Sequence, residues 1–264
     1  MITRIQVSVL TILMTVFMLA YESRANDDIA INDANNPLNP VITFNLQNYY
    51  IPRLTGLHGR ETNQFLIRGL IPHRFYGVPQ MFRFTMPIAT VPEFPSGYET
   101  GLGDLTLMKI FLFPGKVTFG AGPILVAPTA TDNSLGSGKW QAGLIGAVVA
   151  PQKWGLVGGL ITWQSSFAGK SDRKDVSLLT VQPIINFNLS KGFYIRSSAT
   201  WNFDLEHDNH FIPIGLGIGR VIKLKNGSTL NVFIEPQYTI HDRGIGNPKW
   251  QIFAGLNFQF DVGR

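Results

Sequence analysis

Few stretches of this chain hold residue types that could do chemistry, and each sits in a context that argues against it. LEHDNH (205–210) places His207 and His210 three apart beside acids, the raw material of a metal site. No helix or strand fixes their geometry, so a solvated loop is the better reading. GLGIG (215–219) is GxGxG within a strand rather than GxGxxG opening a helix, and its glycines read as room made for neighbouring side chains. PTATDNSLGSGKW (128–140) contains GSGK but lacks the spacing of a phosphate-binding loop. A serine hydrolase needs a serine and a histidine within hydrogen-bond reach and a third group orienting the base. His58, His73, His207 and His210 fall in connections, and His241 is expected on the inward face of a strand end with no serine beside it. These residues therefore define no catalytic, cofactor-binding or metal site.

What could position the remaining polar residues is a matter of composition first. Hydrophobic residues make up 45% of the 264 and charged ones 15%, against a usual charged share of about 25%. The one long apolar run opens the chain. Met1 to Ala25 has an early Arg4, an apolar core from Ile5 to about Ala20 and a Ser23-Arg24-Ala25 ending, which fits a secretory signal peptide cut near Ala25/Asn26. At about 15 residues the core is short of the ~20 that a spanning helix needs. A charge-poor exported chain without a spanning helix points to a closed barrel, in which every backbone N–H and C=O pairs with a neighbouring strand. The absence of cysteine excludes a disulfide framework and thiolate metal sites. Arg4, Glu22 and Arg24 contribute one unit of the net +5, leaving +4 after cleavage. Lysine and arginine are scattered rather than clustered, so nucleic acid is not an expected partner.

After a polar, turn-rich segment (26–40), expected to be a periplasmic lead-in or small plug, twelve runs alternate with period two: 41–50, 62–72, 80–88, 101–113, 117–127, 140–150, 154–166, 176–189, 193–204, 211–222, 229–241 and 250–260. Their lengths suit tilted membrane strands. Tight links (114–116, 151–153, 190–192 and the KNG within 223–228) alternate with longer ones (51–61, 89–100, 128–139, 167–175, 205–210, 242–249). This is the outer-membrane pattern, and an even strand count returns both ends to the periplasm. The expected fold class is thus all-β, an antiparallel transmembrane outer-membrane β-barrel of about 12 strands spanning 41–264. Its expected surroundings are outer-membrane lipid.

Faces follow from where charge is tolerable, because Lys or Arg on the lipid face costs about 2–4 kcal/mol at mid-membrane. That test sends Arg68, Arg83, Gln182, Arg196, Asp204 and Glu235 inward as lumen-lining candidates, acting on a small-molecule permeant or on a plug. Lys109 and Arg220 share faces with apolar residues and are expected to snorkel near the periplasmic end; 140–150 is too rich in Gly and Ala to orient. If Lys225-Asn226-Gly227 forms a three-residue turn with Gly227 left-handed, Gly219 opposes Phe233 and Gly217 opposes Glu235. The last run has an aromatic outward face (Trp250, Ile252, Ala254, Leu256, Phe258, Phe260) and resembles the C-terminal strand that the barrel-assembly machinery reads, although DVGR follows the final aromatic.

GAGPILVAPTATDNSLGSGKWQAG (120–143), WQSSFAG (163–169) and NPKWQIFAGLNFQF (247–260) resemble exported "transporter" proteins related to the MetA-pathway of phenol degradation family. The resemblance implies a Gram-negative outer-membrane barrel and passive transport of small molecules, hydrophobic or aromatic ones included. It supplies no catalytic residues. A non-conducting surface barrel and, behind it, an outer-membrane lipid hydrolase are the alternatives.

Overall fold

The structure, a computed structural model, describes residues 27–260; the signal-peptide expectation for 1–25 and the DVGR tail lie outside them. Twelve antiparallel strands follow one another around a closed ring: β1 (Ile42–Leu54), β2 (Thr62–Phe75), β3 (Val78–Pro92), β4 (Tyr98–Leu102 and Leu105–Phe113), β5 (Thr118–Ala127), β6 (Lys139–Gln152), β7 (Gly155–Gly169), β8 (Ser177–Asn188), β9 (Phe193–Ser197 and Trp201–Asp204), β10 (Asn209–Gly215 and Gly217–Lys223), β11 (Thr229–Arg243) and β12 (Pro248–Phe260). β12 pairs with β1 from Ile42↔Phe260 to Leu54↔Pro248, which closes the barrel and leaves no edge. The strands run further into the long connections than the apolar pattern suggests, to 13 residues in β1 and 15 in β3 and β11.

Period-two alternation places side chains as the charge test requires. In β11, Asn231, Phe233, Glu235, Gln237 and Thr239 are buried inward, and Pro236, Tyr238 and Ile240 are exposed outward. The turn before it has the expected register: Gly227 is left-handed at φ 83°, Leu224 N donates to Ser228 O, and Gly219 opposes Phe233. β6 also has defined faces, with Gln141, Ile145, Ala147 and Val149 inward and Trp140, Leu144 and Val148 outward. Lys109 lies outward with its ammonium 5.7 Å from the rings of Phe75 and Phe111, near a tight turn at Tyr76-Gly77.

One parity expectation fails. Alternation predicts His241 inward, but Ile240 is an extra residue opposite the Ile212/Pro213 step, and this bulge pairs His241 with outward-facing Ile212. There His241 Nδ1 lies 2.9 Å from Nε2 of His210.

The interior is filled from three sources. One wall is apolar: Leu70, Met81, Ile110, Leu112, Ile124, Ile145, Val149 and Leu156 pack together inside the ring. The second source is a helix, α1 (Asp27–Asn35), where the sequence reads as polar and turn-rich. Its Ile31 and Ala34 are buried, as is Leu38 in the segment that follows it, and each large apolar side chain contributes about 1.5–3 kcal/mol. Gly120 gives Leu38 its place, since a Cβ there would lie 2.8 Å from Leu38 Cδ2. Asn188 donates to Asp28 O and to Asn32 Oδ1, Asn32 to Gln152 O, and Asn231 to Ala34 O and Asn35 Oδ1. All these tethers are at the tight-turn end of the barrel.

The third source is the 128–138 connection, which folds back over the opposite mouth. Asp104 sits where β4 is interrupted, and its carboxylate accepts from Ser137 N, Ser137 Oγ and Ala130 N at 2.7, 2.8 and 3.2 Å. Arg173, from the 170–176 connection, donates to the carbonyls of Asn133, Gly136 and Ser137. Hydrogen bonds from Ser134 hold the Asp132 carboxyl below its ordinary value, and a hydrogen bond from Lys139 does the same for Asp175. A depressed carboxylate pKa means these contacts are intact at neutral pH and are lost as pH falls through the folded-state value, below the usual carboxylate range.

Trypsin applied to whole cells is expected to cut after Lys174, which is exposed and free in the 170–176 connection, and to leave Lys191, in the Ser190–Gly192 turn, until the outer membrane is breached. Cleavage in the reverse order on a peptide map contradicts this orientation.

Candidate functional site

β9 leaves its ladder for Ser198–Thr200, and β10 leaves its own at Leu216. Both interruptions surround one carboxylate. Glu235 is fully buried and accepts four hydrogen bonds: from Arg196 Nε, Ser198 N and Ser198 Oγ at 2.8 Å each, and from Gln237 Nε2 at 3.0 Å. A buried carboxylate without such partners would cost several kcal/mol, so its donors determine where the strands can bend. The ladder bonds that β9 gives up are replaced by side chains, with Ser198 N donating to Glu235 and Ser198 O accepting from Gln182 Nε2 at 2.9 Å. The GLGIG glycines provide the space. A Cβ on Gly217 would lie 2.7 Å from Glu235 Cβ, one on Gly215 would meet Glu235 Oε1, and one on Gly219 would enter the Tyr194 ring.

Next to the ion pair is a transverse aromatic layer. The Arg196 guanidinium lies 3.7 Å over the Phe233 ring, Phe233 meets Phe253 edge-on at 4.9 Å, and Phe253 stacks on Tyr49 at 4.2 Å. Gln47 extends this layer, donating to Asn257 Oδ1 at 2.9 Å and accepting from Arg68 at 2.7 Å. The layer separates an inner cavity of about 130 Å³, next to α1, from an outer one of about 470 Å³ under the 128–138 connection. Arg68 borders both.

Of the six candidates, Arg68, Arg83, Gln182 and Arg196 border the inner cavity, and Glu235 is sealed behind Arg196 rather than open to the lumen. Asp204 stands apart at the loop end, where its carboxylate accepts from Glu206 N and His207 N and contacts His207 Nδ1 at 3.0 Å. As the last residue of β9 it caps the following loop. The two histidines of LEHDNH thus go to different partners, and among the described residues no three His, Asp or Glu side chains converge on a metal position.

Four participants lie outside the six candidates: Ser198, Asp104, Asn188 and Asn231. Ser198 resembles any small inward residue, and nothing local marks its amide as leaving the ladder. Asp104 is detectable in principle, as an acid within an otherwise apolar run. The α1 tethers involve Asn188 and Asn231, polar positions at strand ends whose partners are far along the chain.

No family model and no curated protein matches the chain. Among solved structures it is similar to the COG4313 outer membrane channel from Pseudomonas putida F1, at 16% identity over 90% of this chain and 99% of the other, with a TM-score of 0.61. It also matches the β domain of the Bordetella autotransporter BrkA, at 12% identity over 83% of this chain and all of the other, with a TM-score of 0.42. The first likeness agrees with the geometry: the fold is a closed twelve-stranded antiparallel barrel of the outer-membrane kind.

Removing one partner of the buried pair should be severe. Glu235→Ala is expected to lower the unfolding free energy in vesicles by about 3–5 kcal/mol because Arg196 is left buried and unpaired. The double variant Glu235→Leu with Arg196→Met should cost markedly less in the same urea titration. Additive losses would show that the two side chains do not depend on each other.

Proposed function

We propose that this protein is an outer-membrane barrel that lets small molecules cross passively, with α1 as a plug at the periplasmic mouth and the 128–138 connection narrowing the outer one. The observation that carries the reading is the pair of lumenal cavities meeting at Arg68 inside a closed ring, with α1 at one mouth and the 128–138 connection over the other. The sequence resemblance to MetA-pathway "transporter" proteins and the structural likeness to an outer membrane channel both support it. In this reading the surrounding medium is outer-membrane lipid, the barrel-assembly machinery inserts the chain, and the permeant is small because a ring of this size, partly filled by its own side chains, leaves only narrow cavities.

A non-conducting structural barrel is favoured by one specific feature, the dense filling of the ring by the Arg196–Glu235 pair, the aromatic layer and α1. The lipid-hydrolase alternative has no such support: among the described residues no serine hydrogen-bonds to a histidine.

Single-channel conductance and liposome swelling with the refolded mature chain separate these readings. The channel reading expects small, measurable conductance that rises several-fold when residues 27–39 are deleted. A barrel that passes nothing in either form is a structural one.

A further inference from the structure

The inner cavity carries more positive charge than its surroundings neutralise. Three arginines border it and, among the described residues, no Asp or Glu does. Arg196 is matched by Glu235 behind it. Arg68 and Arg83 are not matched. They are diagonal neighbours on the inward face of β2 and β3, since Leu70 opposes Arg83 and Arg68 opposes Thr85. Arg68 bonds only to the neutral carboxamide of Gln47, and its Nε is buried without a partner. Arg83 has no hydrogen bond or ion pair among the described residues. Two like charges side by side in a narrow space raise each other's energy, and an anion between them removes that cost.

Two carboxamides bordering the cavity are also uncommitted, Asn45 opposite Arg68 on β1 and Asn186 on β8. Asn186 is 3% exposed, and its Oδ1 has no partner; Asn45 Oδ1 is likewise buried and unpaired. Buried polar atoms are normally satisfied, and a carboxamide can turn to present either two N–H donors or an acceptor. The rest of the lining is mixed: neutral polar side chains such as Gln182, Asn257 and Gln259, with Leu70, Leu160 and Ile184 as its aliphatic part. A cation pair with Leu70 beside it, and Ile184 and Asn186 together on β8 across the cavity, offers an anion its charge partner and an organic body some aliphatic contact.

We infer that the inner cavity is a binding site for a small organic carboxylate, its charged end held by Arg68 and Arg83 and its apolar body against Leu70, Leu160 and Ile184. The inference rests on the channel reading and specifies it: the site lies between the aromatic layer and the plug, so it selects what waits there. Arg83 gives the specificity, because its planar fork is uncommitted before the ligand arrives.

The test is calorimetric titration of the refolded mature chain with benzoate, its neutral isostere benzamide, and inorganic phosphate. Benzoate is expected to bind, with benzamide and phosphate each weaker by about tenfold or more. Arg83→Gln should weaken benzoate by a similar factor, Arg83→Lys should retain part of the binding, and heat-dependent gel migration shows that each variant is folded. Equal binding of benzoate and benzamide, no effect of Arg83→Gln in a folded barrel, or no benzoate binding at millimolar concentrations overturns the site. Phosphate binding as tight as benzoate overturns the organic body of the ligand. Conductance on the same preparations separates the two levels: a barrel that conducts without binding benzoate loses the site and keeps the channel, and one that binds benzoate but passes nothing keeps the site and loses the channel.

Discussion

The rest of this structure depends on closing the ring between β1 and β12. A sheet with an open edge would leave a row of backbone donors and acceptors facing hydrocarbon, each at a cost of several kcal/mol, so twelve strands must meet themselves. Eleven residue pairs, from Ile42↔Phe260 to Leu54↔Pro248, make that join. Once the ring is closed, every side chain is committed to one of two environments, and a shift of one residue would exchange them all. The Ile240 bulge shows this locally, where one added residue carries His241 from the inside to the outside.

Closure also creates the interior problem. A ring of this size is too wide for backbone alone to fill, and the chain fills it unevenly. Half the inner wall is an ordinary apolar core completed by Leu38. The other half is polar and fully bonded at Glu235, with glycines on β10 yielding the space that the carboxylate and Tyr194 occupy. The strand interruptions are consequences of this filling: β9 gives up ladder bonds where Ser198 serves Glu235, and β4 where Asp104 anchors the 128–138 connection. Between these two regions lie Arg68 and Arg83, the part of the wall that the chain leaves electrostatically open.

Strand number, order and faces could be read from the sequence because each is written in local alternation. The three-residue turn at Lys225–Gly227 could be read for the same reason, from one glycine and one acid that had to face inward. Ambiguity appeared where both faces are apolar or small, as in β6, whose orientation depends on what packs across the lumen rather than on its own residues. The helix was hidden because its buried apolar residues are only Ile31 and Ala34, too few to give a period, and because its tethers come from residues more than a hundred positions away. Of the candidate residues, inward direction was legible for Arg68, Arg83, Gln182, Arg196 and Glu235, but not that Glu235 would be sealed and Asp204 would cap a loop. Direction is a local property, and partnership is not.

The position of α1 inside the ring at the tight-turn end can be tested cleanly because the chain has no native cysteine. Asn32 and Asn188 touch through their side chains at 3.1 Å, so the thiols of Asn32→Cys with Asn188→Cys in the mature chain are expected to be joined in the folded barrel by a short, reducible bis-methanethiosulfonate cross-linker. Protease digestion should then release the 27–39 segment only after reduction. If the two cysteines stay unjoined and accessible to a thiol reagent while the barrel is folded, the helix is not where this account requires it, and both the plug and the cavity it encloses are lost.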